Sequence, residues 1–308
     1  MTHSDIAARL QRVDGERLRR DLFHISHDPL PFRKVNYTRP GAAVCSLDEA
    51  DDYIRGQLEA CGYTVEGKPY SVQAFRCDAS KPKAHQYAAP ASDDPWHKVR
   101  NLVCQRTGDG LSSELVYLAA HKDSQSWVDS PGALDNAVGT VALMEIARHL
   151  ADALLARTVR FLFCNEEHTP WTSACEAQEA RNRGDQIHAM LNLDGLTGRP
   201  QVDIDASRPT LVTGYTHGRG RELAEAMGSI VERYRLPLEH RVAQREFPND
   251  DDGSFVKAGF DAAIIAIGSC PYGDPAYHTE DDTPDRVDIE LLRLSVMACL
   301  AWTLEQAM

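Results

Sequence analysis

Six side chains far apart in the chain, His121, Asp135, Glu166, Glu167, Asp194 and His278, are of the types that bind divalent ions and move protons. Four carboxylates and two imidazoles gathered in one place would repel and desolvate one another unless a cation held them. Nitrogen and oxygen donors without cysteine suit Zn²⁺ first, with Co²⁺ or Mn²⁺ as alternatives. Five ligands are too many for one tetrahedral site that keeps a water. They suit two ions about 3.5–4 Å apart with one carboxylate bridging. Asp135, short and expected at a helix start, is the natural bridge, and one glutamate of the adjacent pair can ligate while the other stays free as a base. Singly, each residue has an ordinary explanation, since strand-end histidines are often packed, Glu-Glu pairs solvated and Asp-Asn pairs helix caps. Their order along the chain carries the argument.

For these residues to meet, the chain must bring them to one edge. Short apolar runs at 101–105, 114–120, 158–164, 187–193 and 262–267 read as strands, and 135–155, 172–182, 219–234 and 289–305 read as helices. That alternation predicts an α/β fold with a mostly parallel sheet covered on both faces, whose ligand crevice lies beyond the carboxyl ends of the strands. The second strand ends in His121, the third in Glu166-Glu167 and the fourth in Asp194, and the last runs into a loop that reaches His278.

Upstream, 4–22 reads as one amphipathic helix. His24 and His27 fall in a Pro-containing loop as surface or packing residues. Ser46, with Glu49 three residues on, looks like the N-cap of a helix that runs to about residue 60 and is closed by Gly62, followed by a strand over 63–72. The whole chain, 1–308, reads as a single domain, with 1–45 as an N-terminal helical extension and 78–97 as a surface loop or flap.

Composition narrows the function. Apolar residues make up 43% and charged residues 26%, and the formal charge is −13, so the field repels nucleic acid and anionic membrane. The N-terminus lacks the pattern of a secretory signal and no apolar run reaches the length of a membrane span, so a cytoplasmic location is expected. Eight scattered cysteines without a Cys-x-x-Cys pair fit isolated thiols better than a disulfide framework.

Five motifs, in order, carry a resemblance: His121-Lys-Asp123-Ser, Ser130-Pro-Gly-Ala-Leu-Asp135-Asn-Ala-Val-Gly139, Glu166-Glu167, Asn192-Leu-Asp194-Gly and Tyr277-His278-Thr-Glu-Asp-Asp-Thr283. Together they closely resemble the M28 family of zinc aminopeptidases over roughly residues 99–290. The resemblance implies a phosphorylase/hydrolase-like three-layer α/β/α sandwich and a co-catalytic pair of zinc ions. It implies that His121 and Asp194 bind one ion, Glu167 and His278 the other, and Asp135 both. Glu166 would be the general base, and Asp123 the acid that orients His121. The implied partner is a small peptide or aminoacyl amide.

Several residues depart from the family pattern or lie beside it. Leu134 stands where another acid is usual, and Lys122 should point away from His121 on the strand. Residues 249–255 resemble a Ser-Asp-His-x-x-Phe region with Asp251 in register and Asp252 in the histidine position, and read otherwise as a solvated acidic turn. Tyr272 or Tyr277 could donate to an oxyanion. His168 and Trp171 could line the pocket, and His149 and His188 read as packing residues. Asp250, Asp251, Asp252, Asp274 and Glu280 are candidates to meet a substrate α-ammonium. Three alternatives compete with the peptidase. One is a glutaminyl-cyclase-like aminoacyltransferase with one zinc, and another is a silent binding module, against which the retained Glu166 and complete ligand set argue. The third is a metallo-carboxypeptidase or amidohydrolase needing a basic anchor such as Arg208, Arg219 or Arg245.

Overall fold

Strands at the centre of the sheet are apolar on both sides, and this alternation builds the layers. Along 115–120, Val116, Leu118 and Ala120 enter one buried cluster while Leu115, Tyr117 and Ala119 enter another. The computed structural model describes residues 2–308. In chain order the elements are α1 (His3–Leu10), α2 (Gly15–Ser26), α3 (Ser46–Glu59), β1 (Glu66–Ala74), β2 (Arg76–Cys77), β3 (Tyr87–Ala88), β4 (His97–Arg106), β5 (Leu111–His121), α4 (Val138–Leu150), β6 (Arg157–Cys164), β7 (His168–Thr169), α5 (Thr172–Arg183), β8 (Gln186–Leu193), α6 (Gln201–Asp205), β9 (Thr210–Tyr215), α7 (Gly218–Arg233), β10 (Glu239–Gln244), α8 (Asp250–Lys257), β11 (Ala263–Ile267) and α9 (Ile289–Ala307).

Nine strands form a mixed sheet in the order β10-β9-β11-β8-β5-β6-β4-β1-β7. The central four, β11, β8, β5 and β6, run parallel. Antiparallel pairings begin at β9 on one side and at β4 on the other. The protein is a single α/β domain whose sheet is parallel where the chemistry-bearing strand ends lie. The larger core packs α1–α4, α7 and α9 on one face, and α5 and α8 cover the other, giving three layers. A separate two-stranded hairpin, β2–β3, stands off this sheet. Among the described residues no helix is long and apolar enough to cross a membrane, and all eight cysteines are free thiols.

Local expectations shift in four places. The helix read over 4–22 is two helices, because the Asp14 carboxylate accepts from the backbone N–H of Glu16 and Arg17 and starts a second one. That second helix carries His24, which stacks on Tyr53 rather than lying in a loop. Ser46 is the first helical residue instead of the cap, and its hydroxyl serves the Lys34 backbone. Asp135 does not open a helix. It lies in an irregular turn at φ −127° and ψ 87°, and regular helix begins at Val138. Finally, the acidic run at 249–255 is no solvated turn: it forms α8, with Asp251 and Asp252 fully buried.

Candidate metal centre

The parallel register brings the strand ends level. His121 pairs with Cys164 of β6, Ala119 with Asn192 of β8, and Ala266 of β11 with Leu193. Glu166-Glu167, Asp194 and the loop after Ile267 therefore leave the sheet beside His121. Alternation sends Lys122 the other way, where its ammonium is buried 2.7 Å from Asp51 and 2.9 Å from the Asn165 amide oxygen.

Two donor clusters result, His121/Asp135/Asp194 and Asp135/Glu167/His278, each with one ligand atom per residue within 4.8 Å of the others. Asp135 belongs to both. Its Oδ1 lies 3.1 Å from His121 Nε2 and its Oδ2 lies 3.1 Å from His278 Nε2. Asp194 Oδ1 is 3.6 Å from His121 Nε2, and Glu167 Oε1 is 3.3 Å from His278 Nε2. Glu166 stands beside them, half-buried, with Oε2 shielded from solvent and free of any hydrogen-bond partner. The imidazole and carboxylate donors and the absence of thiolates from both clusters fit zinc.

Each imidazole has its other nitrogen engaged. His121 Nδ1 faces Asp123 Oδ1 at 3.3 Å, and His278 Nδ1 faces the Ala84 carbonyl at 2.9 Å, so both present Nε2 to the cluster. Asp123 also accepts the backbone N–H groups of Glu166 and Glu167 and contacts His168 Nδ1 at 2.7 Å. His168 is thereby a buried support and does not line the cavity.

The irregular turn holding Asp135 has its own scaffold. The Asp282 carboxylate accepts from the N–H of Leu134 and Asp135, and the Asn136 amide donates to the Leu193 carbonyl. Gln125 donates to Glu167 Oε1 at 2.8 Å and to the Asp135 carbonyl at 3.0 Å. Below them, the fully buried Arg33 guanidinium donates to the carbonyls of Ile25, Lys122, Pro131 and Gly132 at 2.6–2.8 Å. Gly132 is left-handed at φ +57°, and a Cβ there would meet Ser124, the Asp135 carbonyl and Arg33 within about 3 Å. Arg33, Gln125, Asn136 and Asp282 were not singled out from sequence; only Asn136 and Asp282, which fall inside motifs, carried any signal there.

The field of the site favours cations. Burial disfavours charge on His121, but Asp194, Asp123 and Asp135 more than offset it and raise its pKa well above the ordinary imidazole value. His278 is likewise raised, burial being outweighed by Glu167 and Asp135. Glu166 is pushed well above the usual carboxylate range by burial and by its neighbours Asp251 and Asp250.

A cavity of about 200 Å³ opens over these groups. Its wall has an acidic side with Glu166, Asp194 and Asp250, and an aromatic side with Phe75, Tyr87, Trp127 and Tyr277. Among the described residues no lysine or arginine lines it. Of the three arginines considered as carboxylate anchors, Arg208 faces Asp203 and Arg219 the His188 carbonyl, while Arg245, itself outside the lining, is paired with Asp250 at the cavity wall and with Asp252. Of the acids considered for an α-ammonium, Asp250 alone lines the cavity; burial and Asp194 push its pKa up to about 8. Asp251 contacts the Cys164 thiol, Asp274 caps backbone N–H groups of Arg199 and Ala276, and Glu280 pairs with Lys83. Trp171, Tyr272 and Tyr277 also line the cavity. The Tyr272 ring packs on Gly195 and Gly198, its hydroxyl buried without a partner, while Tyr277 stacks on His278 at 3.7 Å. His149 is buried against Glu145, and His188 is half-buried near Glu114.

Known proteins resemble this chain in sequence and in fold. The Leucine aminopeptidase 1 of Fusarium vanettenii is 32% identical over 187 residues, covering 56% of this chain and 47% of that protein. The chain thus spans about half the length of that curated relative. The LapA aminopeptidase of Legionella pneumophila superposes with a TM-score of 0.75 at 18% identity, over 99% of this chain and 75% of its own. The glutaminyl cyclase of Porphyromonas gingivalis superposes with a TM-score of 0.66 at 16% identity, over 95% and 98%. At such identities the two structures share the fold. The family model of peptidase family M28 matches residues 101–303, two-thirds of the sequence and every residue of both donor clusters, and the chain belongs to that family.

Proposed function

We propose that this protein is a zinc-dependent aminopeptidase that releases the N-terminal residue of short peptides or related aminoacyl amides. The reading rests above all on one observation: two three-residue donor clusters share Asp135, with an unpartnered glutamate beside them in a cavity that, among the described residues, no lysine or arginine lines. His121 and Asp194 would hold one zinc ion, Glu167 and His278 the other, and Asp135 both, with Co²⁺ or Mn²⁺ as possible substitutes. When bound, such a pair supplies Lewis-acid polarisation of the scissile carbonyl and acidifies the attacking water.

The remaining steps belong to the chain. Glu166 accepts the water proton at its free carboxylate oxygen and hands it to the departing amine, a transfer favoured by a pKa that burial and Asp251 raise above the usual carboxylate range. Asp123 keeps His121 aligned and anchors the backbone of both glutamates, so base and ligand move as one unit. The Tyr272 hydroxyl, buried and without a partner, is a donor for the oxygen that gains charge; Tyr277 instead packs against His278. Asp194 offers negative charge to an α-ammonium and Asp250 a carboxyl oxygen on the same wall, which orients the substrate amino end first.

The test joins metal content to a substrate panel. Purified protein should carry two zinc equivalents, release free amino acid from aminoacyl amides and dipeptides, and ignore N-blocked peptides. Glu166→Gln should lower kcat by about 10²–10⁴-fold with metal content unchanged. Cleavage of N-blocked peptides from the carboxyl end would sink the reading in favour of a carboxypeptidase. Ammonia loss from N-terminal glutamine with one zinc would sink it in favour of the cyclase, whose fold this chain shares.

A further inference from the structure

The two histidines of the site are held by different means. His121 ends a central strand, and its Nδ1 partner Asp123 is fully buried two residues away. His278 sits in a loop at φ +58°, in the left-handed region that a residue with a Cβ adopts only when its surroundings impose it. Its ring is fixed from outside. Tyr277 stacks on it, Trp127 meets it edge-on at 4.9 Å and Tyr87 at 5.9 Å, and Nδ1 lies 2.9 Å from the carbonyl of Ala84, 194 residues away in sequence.

Ala84 and Tyr87 both belong to the β2–β3 hairpin. The hairpin has only two residues per strand, is not part of the main sheet, and is largely exposed between 78 and 86. A tether near its tip is the ion pair of Lys83 with Glu280 at 2.7 Å, both about half exposed. Such a segment opens at low free-energy cost compared with the core.

We infer that this hairpin is a positioning element for one of the two ions: docking of the Ala84 carbonyl on His278 and binding of the ion at Glu167 and His278 are thermodynamically coupled. With Nδ1–H donating to Ala84, the lone pair is on Nε2, which faces Asp135 and Glu167. With the hairpin away, the tautomer is no longer set and the ring keeps only its contacts with Tyr277 and Trp127. Coupling is reciprocal, so the ion must stabilise the docked hairpin by the factor by which the hairpin tightens the ion. The inference rests on the metallopeptidase reading above.

The test shortens the hairpin in the full-length chain. Replacing Asp78–Gln86 with Asn-Gly leaves the Cys77–Tyr87 pair joined by a two-residue turn of favoured type and removes the Ala84 carbonyl. Chelator-competition titration with zinc should show one ion bound about 10–100-fold more weakly and the other within about twofold of wild type. A second measurement needs no deletion: Lys83→Glu, facing Glu280, should weaken the same ion severalfold, and adding Glu280→Lys should restore it. In the wild-type protein, backbone amides of 76–88 should gain hydrogen-exchange protection when zinc is added. Two unchanged affinities, or equal loss of both ions, would overturn the inference while leaving the peptidase reading intact. A wild-type protein that takes up no zinc would overturn both.

Discussion

The two halves of the site differ in how they are built. One half, His121 and Asp194, stands on the ends of adjacent central strands, with Asp123 buried against His121. The other half, Glu167 and His278, stands on loops and borrows its supports from afar, from Gln125 and from the hairpin carbonyl of Ala84. Asp135 joins them from a turn that belongs to neither. Strand ends are positioned by the sheet at no extra cost, whereas a loop ligand is only as well placed as the contacts that confine it. The first half is therefore preorganised by the fold, and the second by tertiary contacts that a few substitutions can remove.

The largest effect should come from the residue that erases the distinction. Asp135→Asn removes the carboxylate charge common to both clusters, so zinc uptake should fall at both positions. Hydrolysis should drop by about a thousandfold or more, because several kcal/mol of Lewis-acid stabilisation is lost. Loss of a single ion would show that the halves do not share this ligand.

A smaller pair of changes separates the supports. Asp123→Asn touches His121 and the backbone of both glutamates, and should weaken both ions by about 10–100-fold. Gln125→Leu touches Glu167 and should weaken one ion, by about tenfold. Equal responses of both ions to Gln125→Leu in the same titration would erase the proposed asymmetry.

Glu145, away from both halves, gives the smallest effect and a pH signature. Burial opposes its charge, but His149 and Arg17 outweigh burial and bring its pKa down to about 2, from an ordinary value of 4.5. A folded-state value below the unfolded one means that its stabilisation is fully present above about pH 4.5. It is lost progressively as the pH falls through about 2. Urea unfolding between pH 6 and 3 should therefore show a shallower acid slope for Glu145→Gln than for wild type, with zinc affinity unaffected.

These contrasts follow what the sequence could and could not disclose. His121, Glu166-Glu167 and Asp194 follow apolar runs whose ends are readable, and a strand end in a parallel sheet has one place to go. The long amphipathic and apolar helices were legible for the same reason. Strand β10 was not, because Glu-His-Arg-Val-Ala-Gln at an exposed edge lacks an apolar signature. The burial of α8 was hidden because three successive aspartates look solvated. Only the fold shows that Arg245 pairs with Asp252 and that the Cys164 thiol meets Asp251. The Asp135 turn looked like a helix start because its support by Asp282 is non-local. Arg33 and Ala84 gave no signal, since a guanidinium bonded to main-chain oxygens, or a main-chain oxygen itself, leaves no mark on residue type.

Arg33 has a practical consequence for anyone who trims this protein. The family match begins at residue 101, so a boundary drawn there would discard the guanidinium that ties Ile25, Lys122, Pro131 and Gly132 together. The leading segment is thus a keystone under the ligand-bearing turn, and a truncated clone would leave the Lys122, Pro131 and Gly132 carbonyls stranded in an apolar interior.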